Sequence, residues 1–385
     1  MTKKKVCVVV TARPSYSRIK TALLAIKSHP NLELQLVVAG SALLDRYGDA
    51  SKVIEADGFT IIERVYNVLE GENPTIMSKT TGIALMELST TFYNLKPDMV
   101  VSIADRFETI ATSIAAAYQN IPLVHIQGGE VTGNIDEKVR HANTKLADLH
   151  LVASEDAYNR VLKMGEYKSS IINTGCPSID LAKDILNEDS SQFNPFDCYH
   201  GVGKIKNWQD GYLVGLQHPV TTEFGKSREH IVHTLQAIKD LDIPTFWFWP
   251  NVDAGADGTS KGIRVFREEE KPDNIYFYKN MQPLDFLRLI KNAKCLVGNS
   301  SVGIRESSFL GVPVVNIGSR QSGRLRGKNV MDCGYDIAEI KNSIKQQLKH
   351  KSYESQHIYG NGMAGQKIAE ELARFEGQSH KVITY

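Results

Sequence analysis

The feature that most constrains this chain is a repeated alternation: short runs rich in Val, Ile and Leu are separated by longer stretches with helical spacing. A run that is apolar almost throughout suits a strand covered on both faces, and strands joined by helices build a parallel sheet. In the first half the pattern predicts strands at about Val6–Ala12, Leu32–Ala39, Thr60–Val65, Met99–Ile103, Leu123–Ile126, Leu149–Ala153 and Ser170–Thr174. The intervening helices are expected at Ser15–Lys27, Ala42–Ala56, Thr80–Asn94, Arg106–Gln119, Ile135–Leu146 and Glu155–Met164.

The alternation fades between Asn187 and Asp210 and then resumes, with strands expected at Tyr212–Leu216, Thr245–Trp249, Ile275–Tyr278, Cys295–Val297 and Val314–Ile317. Helices are expected near Arg228–Lys239, Leu284–Lys291, Gly303–Phe309 and Ile337–Lys349. A chain of 385 residues exceeds what one hydrophobic core usually serves. Two α/β domains are therefore predicted, residues 1–187 and 188–363, with a C-terminal helix in 364–385, centred on Ala364–Phe375, folding back on the first.

Lys plus Arg number 45 against 44 Asp plus Glu, an even balance that argues against a nucleic-acid partner. The run Lys3-Lys4-Lys5 reads as a solvated lead into the first strand. The five cysteines form no C-x-x-C pair, which fits a reducing, cytoplasmic setting and neither a disulfide framework nor a cysteine zinc site. No apolar run reaches the roughly 18 residues a membrane span needs. His230-x-x-His233 lacks a third ligand, so no metal is expected, and without G-x-G-x-x-G or a Walker loop no nucleotide cofactor is expected either.

In open α/β sheets ligands bind beyond the carboxyl ends of the strands, so the residues after each strand are the candidates. After the first strand Arg13, Pro14, Ser15 and Ser17 open a helix. Arg13 fits both a phosphate grip and a plain surface arginine. After Ile103 come Asp105 and Arg106, where Asp105 suits either catalysis or a helix cap. The next end reads Gln127-Gly128-Gly129-Glu130, followed by Asp136, Arg140 and His141; here Asp136–Arg140 also fits a surface ion pair. In the second half Gln217-His218-Pro219 and Pro250-Asn251-Val252-Asp253 end successive strands. Gly298-Asn299-Ser300-Ser301 then opens a helix bearing Glu306, and Arg320 follows the next strand. Small hydroxyl residues capping a helix suit a diphosphate, and Glu306 suits a ribose diol.

Taken together these segments resemble the hydrolysing UDP-N-acetylglucosamine 2-epimerases of sialic-acid and related nonulosonic-acid pathways. The resemblance runs through almost the whole chain and rests on the order and spacing of Tyr16-Ser17, Asp105-Arg106-Phe107, Gly128-Gly129-Glu130 with Asp136 and Arg140-His141, His218-Pro219-Val220-Thr221-Thr222, Asn251-Val252-Asp253, Asn299-Ser300-Ser301 and Arg320-Gln321. It implies two Rossmann-like domains of glycosyltransferase B type, with the active site in the interdomain cleft, and a homodimer or homotetramer.

The resemblance further implies a small nucleotide-sugar substrate. Arg13, Ser17, Arg106, His218, Asn251, Ser300, Ser301, Glu306 and Arg320 would contact the nucleotide diphosphate, with Asp253 at the same rim and Met281 meeting the base through its main chain. Asp105 and Asp136 match catalytic carboxylates, and His218, where protonated, adds positive charge. One position departs: Gln127 stands where members of the sialic-acid branch carry a catalytic Glu, and an amide cannot carry a proton near neutral pH. Either Asp105, Glu130 or Asp136 takes over that step, or the sugar at Gln127 differs, as for relatives acting on nucleotide-linked diacetamido-trideoxy sugars.

Overall fold

The computed structural model describes residues 2–44, 49–70, 74–104, 106–131, 135–190, 192–250, 256–377 and 381–384. Asp105, Asn251 and Asp253, three of the candidate site residues, lie outside the described residues. The chain divides into two compact units, one of Met1–Asp180 with Tyr359–Tyr385 and one of Leu181–Ile358. Both are α/β units built on parallel sheets, as the alternation predicted.

The first unit holds strands β1 (Lys4–Val10), β2 (Leu32–Ala39), β3 (Ile61–Val65), β4 (Met99–Ile103), β5 (Leu123–Ile126), β6 (Leu149–Val152) and β7 (Ile171–Asn173). They lie in the order β3-β2-β1-β4-β5-β6-β7, and every pair is parallel. The period-2 geometry of a strand divides β1 between two cores. Val6, Val8 and Val10 pack with Ile19, Leu23 and Ile26 of helix Arg13–Ser28, while Cys7 and Val9 pack with Leu88 and Phe92 of helix Pro74–Leu95. Burial on both faces is why the run is apolar throughout.

Helix Ala364–Arg374 packs on helix Arg13–Ser28, with Ile368 and Leu372 buried in the same core. Its first residue follows Met363, which offers no side-chain cap, so the cap comes from elsewhere in the chain. The Asp180 carboxylate accepts from the N–H groups of Ala364 (2.8 Å) and Gly365 (2.7 Å), and Thr21 Oγ1 donates to it at 2.9 Å. At the other end Lys4 Nζ donates to the carbonyls of Ala373 and Phe375, each at 2.8 Å. This corrects the reading of Lys4 as merely solvated: its ammonium closes a helix C-terminus.

The second unit holds β8 (Val202–Lys204), β9 (Leu213–Leu216), β10 (Thr245–Phe248), β11 (Ile275–Tyr278), β12 (Cys295–Gly298), β13 (Val314–Ile317) and β14 (Val330–Cys333). Their order is β14-β13-β12-β9-β10-β11-β8, parallel except for the edge strand β8, which runs antiparallel to β11. Setting the edge strands β7 and β8 aside, this repeats the strand order of the first sheet, so each sheet reverses direction once, at β1/β4 and at β9/β12. Ligands of such sheets bind at that reversal.

The polar, aromatic stretch before β9 builds structure of its own. Phe196 and Trp208 pack among Tyr212, Phe246 and Tyr276, and Gly203, at φ 117°, lets β8 lie against the Ile275 carbonyl. Among the described residues no helix is long and apolar enough to cross a membrane.

Candidate active site

At the carboxyl end of β1, helix Arg13–Ser28 begins after the extended residue Ala12, with Pro14 in its first turn and no side-chain cap. Arg13 is half-buried there, and Ser17 Oγ donates back to the Arg13 carbonyl at 3.4 Å. The end of β2 is drawn against this turn: the Ala42 N–H donates to the Thr11 carbonyl at 3.2 Å. A Cβ on Gly40, whose φ is 63°, would stand 2.8 Å from the Thr11 carbonyl oxygen.

Beyond β4 the chain turns through Ala104 at φ 59°. The helix expected from Arg106 starts only at Thr109. The Arg106 carbonyl accepts from the Thr109 N–H (2.9 Å) and hydroxyl (2.7 Å), which stabilises a separate turn over the preceding residues. That turn brings Arg106 Nε to Glu108 Oε1 at 2.8 Å. Glu108 is only 3% exposed, and its second oxygen is buried without a partner among the described residues. Asn143 Nδ2 donates to Thr109 Oγ1 at 2.8 Å, tying the turn to helix Ile135–Leu146. Glu108 and Asn143 are thus site-supporting residues that the strand-end rule did not single out, and no local pattern marks them.

Beyond β5, Gln127 also turns at positive φ, 66°, and is buried. Its Nε2 donates to Cys176 Sγ at 2.9 Å, and Cys176 Sγ lies 3.0 Å from Ser178 Oγ. Glu130 is buried as well. Arg140, which also fitted a surface ion pair, is 1% exposed, and its Nη1 donates to the Glu130 carbonyl at 2.7 Å. The surface reading of Arg140 is therefore corrected: its guanidinium braces the glycine loop from within. Asp136 stands half-buried in the first turn of helix Ile135–Leu146, and His141 Nε2 lies 3.4 Å from Glu137 Oε1.

In the second unit the reversal at β9/β12 brings two strand ends into direct contact. The His218 N–H donates to Asn299 Oδ1 at 2.7 Å, and Asn299 Nδ2 donates to the His218 carbonyl at 2.9 Å. The two residues clasp main chain to side chain across 81 positions of sequence. Gly298 makes this possible, because its φ is 137° and a Cβ there would overlap the Leu216 carbonyl oxygen.

The Asn299 carbonyl in turn accepts from Arg320 Nη1 (3.3 Å) and Gln321 Nε2 (2.8 Å), so Arg320 is drawn to the same rim as His218. Ser300 caps the following turn by accepting from the Val302 N–H, at 3.5 Å. The helix expected over 303–309 is two short pieces, Ser301–Ile304 and Glu306–Leu310, broken at Arg305, where ψ is −75°. Glu306 Oε2 is buried with no partner among the described residues. A buried acceptor without a donor is costly, and a hydroxyl-bearing ligand would satisfy it.

The residue before Arg320 is held as well. Ser319 Oγ donates to Glu223 Oε1 at 2.6 Å. Tyr335, stacked on His230 with ring centroids 3.5 Å apart, holds its hydroxyl pKa well above the ordinary value through burial and then the neighbouring Glu223 charge. Burial pushes the His230 ring below its usual value. His233 Nδ1 meets the Tyr335 carbonyl at 3.1 Å, so the His230/His233 pair serves packing of this loop. Met281, after β11, is buried, and its N–H donates to Asn280 Oδ1 at 2.9 Å. Among the described residues no group of three or more His, Cys, Asp or Glu could hold a metal ion.

A family model described as UDP-N-acetylglucosamine 2-epimerase matches residues 24–373. The chain is 31% identical over 336 residues to a GDP/UDP-N,N'-diacetylbacillosamine 2-epimerase (hydrolyzing) of Campylobacter jejuni, covering 86% of this chain and 85% of that protein. It is 29% identical over 369 residues to a UDP-N,N'-diacetylbacillosamine 2-epimerase (hydrolyzing) of Legionella pneumophila, covering 96% and 95%. Among solved structures, a UDP-GlcNAc 2-epimerase from Neisseria meningitidis bound to UDP-GlcNAc matches with TM-score 0.80 at 19% identity, covering 96% of this chain and all of that one. A likeness at that identity speaks for the fold.

Proposed function

Because the chain belongs to the UDP-N-acetylglucosamine 2-epimerase family, we propose that it is a hydrolysing member. In this reading a nucleotide-diphospho-2-acetamido sugar, either UDP-N-acetylglucosamine or a UDP- or GDP-linked diacetamido-trideoxy relative, is converted to the free C2-inverted sugar and a nucleoside diphosphate. The observation that carries the nucleotide half is the rim at β9/β12. There His218, Asn299 and Arg320 are drawn together, and the Glu306 acceptor has no donor among the described residues. Support for hydrolysis comes from the two relatives whose names state it.

The proposed reaction breaks the bond between C1 and the diphosphate oxygen, and the C2 proton leaves to a carboxylate, giving a glycal. Water then supplies hydroxyl at C1, and a proton returns to C2 from the opposite face. As C1 gains oxocarbenium character the C2 proton becomes acidic enough for a carboxylate base, and the departing diphosphate calls for positive charge. Arg13, Arg106, Arg320 and, in its protonated form, His218 supply that charge in this reading, Asp105 and Asp136 exchange the protons, and Glu130 stands next in line. Gln127 contacts the sugar as an amide and takes no part in proton transfer.

Incubation with each candidate nucleotide sugar, followed by product analysis, tests the proposal. Free sugar plus nucleoside diphosphate is expected, whereas an interconverted nucleotide sugar would make the enzyme non-hydrolysing. Asp105→Asn should lower turnover by about 10²- to 10⁴-fold while leaving UDP binding nearly intact. Near wild-type turnover in that variant would remove Asp105 from the reaction.

A further inference from the structure

Three segments carry the carboxylates of the proposed reaction: the turn beyond β4, the glycine loop beyond β5, and helix Ile135–Leu146. One fully buried side chain, His125 on β5, touches all three. Its Nε2 lies 2.9 Å from the Ala104 carbonyl, and its Nδ1 lies 3.1 Å from the hydroxyl of Thr144, itself completely buried. A carbonyl oxygen can only accept, so Nε2 carries a proton, while Nδ1 and the Thr144 hydroxyl share the second hydrogen bond. The ring is held by partners on two different elements.

The third contact is steric. A Cβ on Gly128 would stand 2.9 Å from His125 Nδ1 and 2.9 Å from Thr144 Oγ1, so the glycine loop rests directly on this pair. The carbonyl that His125 grips belongs to Ala104, a non-glycine residue with φ 59°, and the Ala104 N–H donates to the Ile126 carbonyl at 2.9 Å. A left-handed alanine persists only where its surroundings impose it. Here β5 does so from both sides, through the Ile126 carbonyl and the His125 ring. The residue after Ala104 is Asp105, and the residues after Gly128 lead to Glu130.

We propose that His125 is a positioning residue for the epimerisation, acting by fixing the Ala104 turn, the Gly128 loop and the Thr144 helix in one register. The inference rests on the proposed reaction, since it is the proton-transfer groups on these segments that are being aligned. It makes no contact with substrate itself. Misplacing catalytic groups by about 1 Å can cost on the order of 100-fold in rate, while His218, Asn299, Glu306 and Arg320 of the nucleotide rim belong to the other unit and Arg106, on the Ala104 turn, acts on the departing diphosphate. The signature of His125 is therefore a fall in kcat without a change in nucleotide binding.

The experiment pairs His125→Leu, which removes the ring donor, with His125→Gln, whose amide can still donate to the Ala104 carbonyl. Leucine is expected to lower kcat about 100-fold with KM and UDP affinity within about twofold of wild type, and glutamine to recover at least about tenfold of that loss. A leucine variant with wild-type kcat, or a glutamine variant no better than leucine, would overturn the proposal. Nitrogen-15 NMR of histidine-labelled wild-type protein keeps the question open to test if the leucine variant fails to fold. A slowly exchanging proton on His125 Nε2 is expected, and a tautomer protonated at Nδ1 alone overturns the assignment. That measurement needs no turnover, so failure of the proposed reaction in wild-type protein is told apart from failure of the His125 role.

Discussion

The two sheets repeat one strand order, yet their reversals are furnished differently. Around β1/β4 and the adjoining β5 the chain turns through two non-glycine residues at positive φ, Ala104 and Gln127, over a floor of buried polar groups that includes Glu108, His125, Arg140 and Asn143. At β9/β12 the corresponding turn is made by Gly298, and the strand ends are joined by two hydrogen bonds between the Asn299 side chain and the His218 main chain. A left-handed non-glycine residue costs about 1–3 kcal/mol and survives where neighbours over-determine it, whereas a glycine takes that conformation without steric cost. The first rim holds strained backbone in place with side chains, as suits groups that must meet reacting atoms. The second turns on glycine and holds its strand ends with one side-chain clasp, which in the proposed reading serves recognition of a nucleotide.

If this contrast is right, damage to the second rim should appear in KM and damage to the first in kcat. The largest effect is expected from Gly298→Ala, because the new methyl overlaps the Leu216 carbonyl oxygen and φ is unsuitable for alanine. A loss of about 4 kcal/mol is expected, with UDP binding abolished. Calorimetric unfolding and UDP titration check both, and a stable variant that binds UDP normally would break the comparison.

Next comes an ionic cluster that belongs to the first unit alone. Glu166, 2% exposed at its side chain, lies between His150 Nε2 (3.0 Å), Lys145 Nζ (2.5 Å) and Lys381 Nζ (2.7 Å) near the C-terminus. Burial works to raise its pKa, but the hydrogen bonds from His150, Lys145 and Lys381 outweigh this and bring it to about 2 from an ordinary 4.5. Its folded pKa is depressed, so its contribution is complete above 4.5 and lost as pH falls toward about 2. That contribution is about 3 kcal/mol. Burial also holds the His150 ring below its ordinary 6.5, so acid begins to favour unfolding from that pH downward. In Glu166→Gln, denaturant titrations followed by hydrogen exchange in the first unit should show lower stability at neutral pH and a shallower decline below pH 4.5. A decline as steep as in wild type would place the acid sensitivity elsewhere.

A smaller effect is expected from Asn299→Ala, which leaves the buried His218 N–H and carbonyl without their clasp. Weakening of UDP binding by about 30-fold, or about 2 kcal/mol, is expected, with kcat within about threefold of wild type. The mirror result, a kcat loss at unchanged KM, would reverse the assignment of the rims. The smallest is Glu108→Gln. It keeps the shape of the support for Arg106 but removes its charge, and about a tenfold loss in kcat at constant KM is expected from steady-state kinetics.

Much of the fold was legible because burial on both faces leaves an unbroken apolar signature. Strands β1, β2, β4–β6 and β9–β13 carry it, and their positions were predicted to within a few residues. The elements missed lack that signature. Strand β8 is three exposed residues with a glycine at its centre, and β14 is a short edge strand. Helix Ala256–Glu270 contains Gly258 and Gly262, which weaken its helical propensity. Gly262 nonetheless lets it press against Ile231 of helix Ser227–Leu241. Packing between helices overrode what the residues prefer alone.

The amino-acid sequence by itself determined which residues stand at strand ends, because hydrophobic periodicity is local and the strand-end rule needs only order along the chain. Arg13, Arg106, Glu130, His218, Ser300, Glu306 and Arg320 were all found that way. What only the tertiary structure decided is which distant groups hold them. Asn299 clasps His218 across 81 residues, Glu223 reaches Ser319 across 96, and His125 grips Ala104 from the neighbouring strand. A hydrogen bond depends on two groups arriving within about 3 Å, and in a parallel sheet the strands that bring them there are neighbours in space long before they are neighbours in sequence.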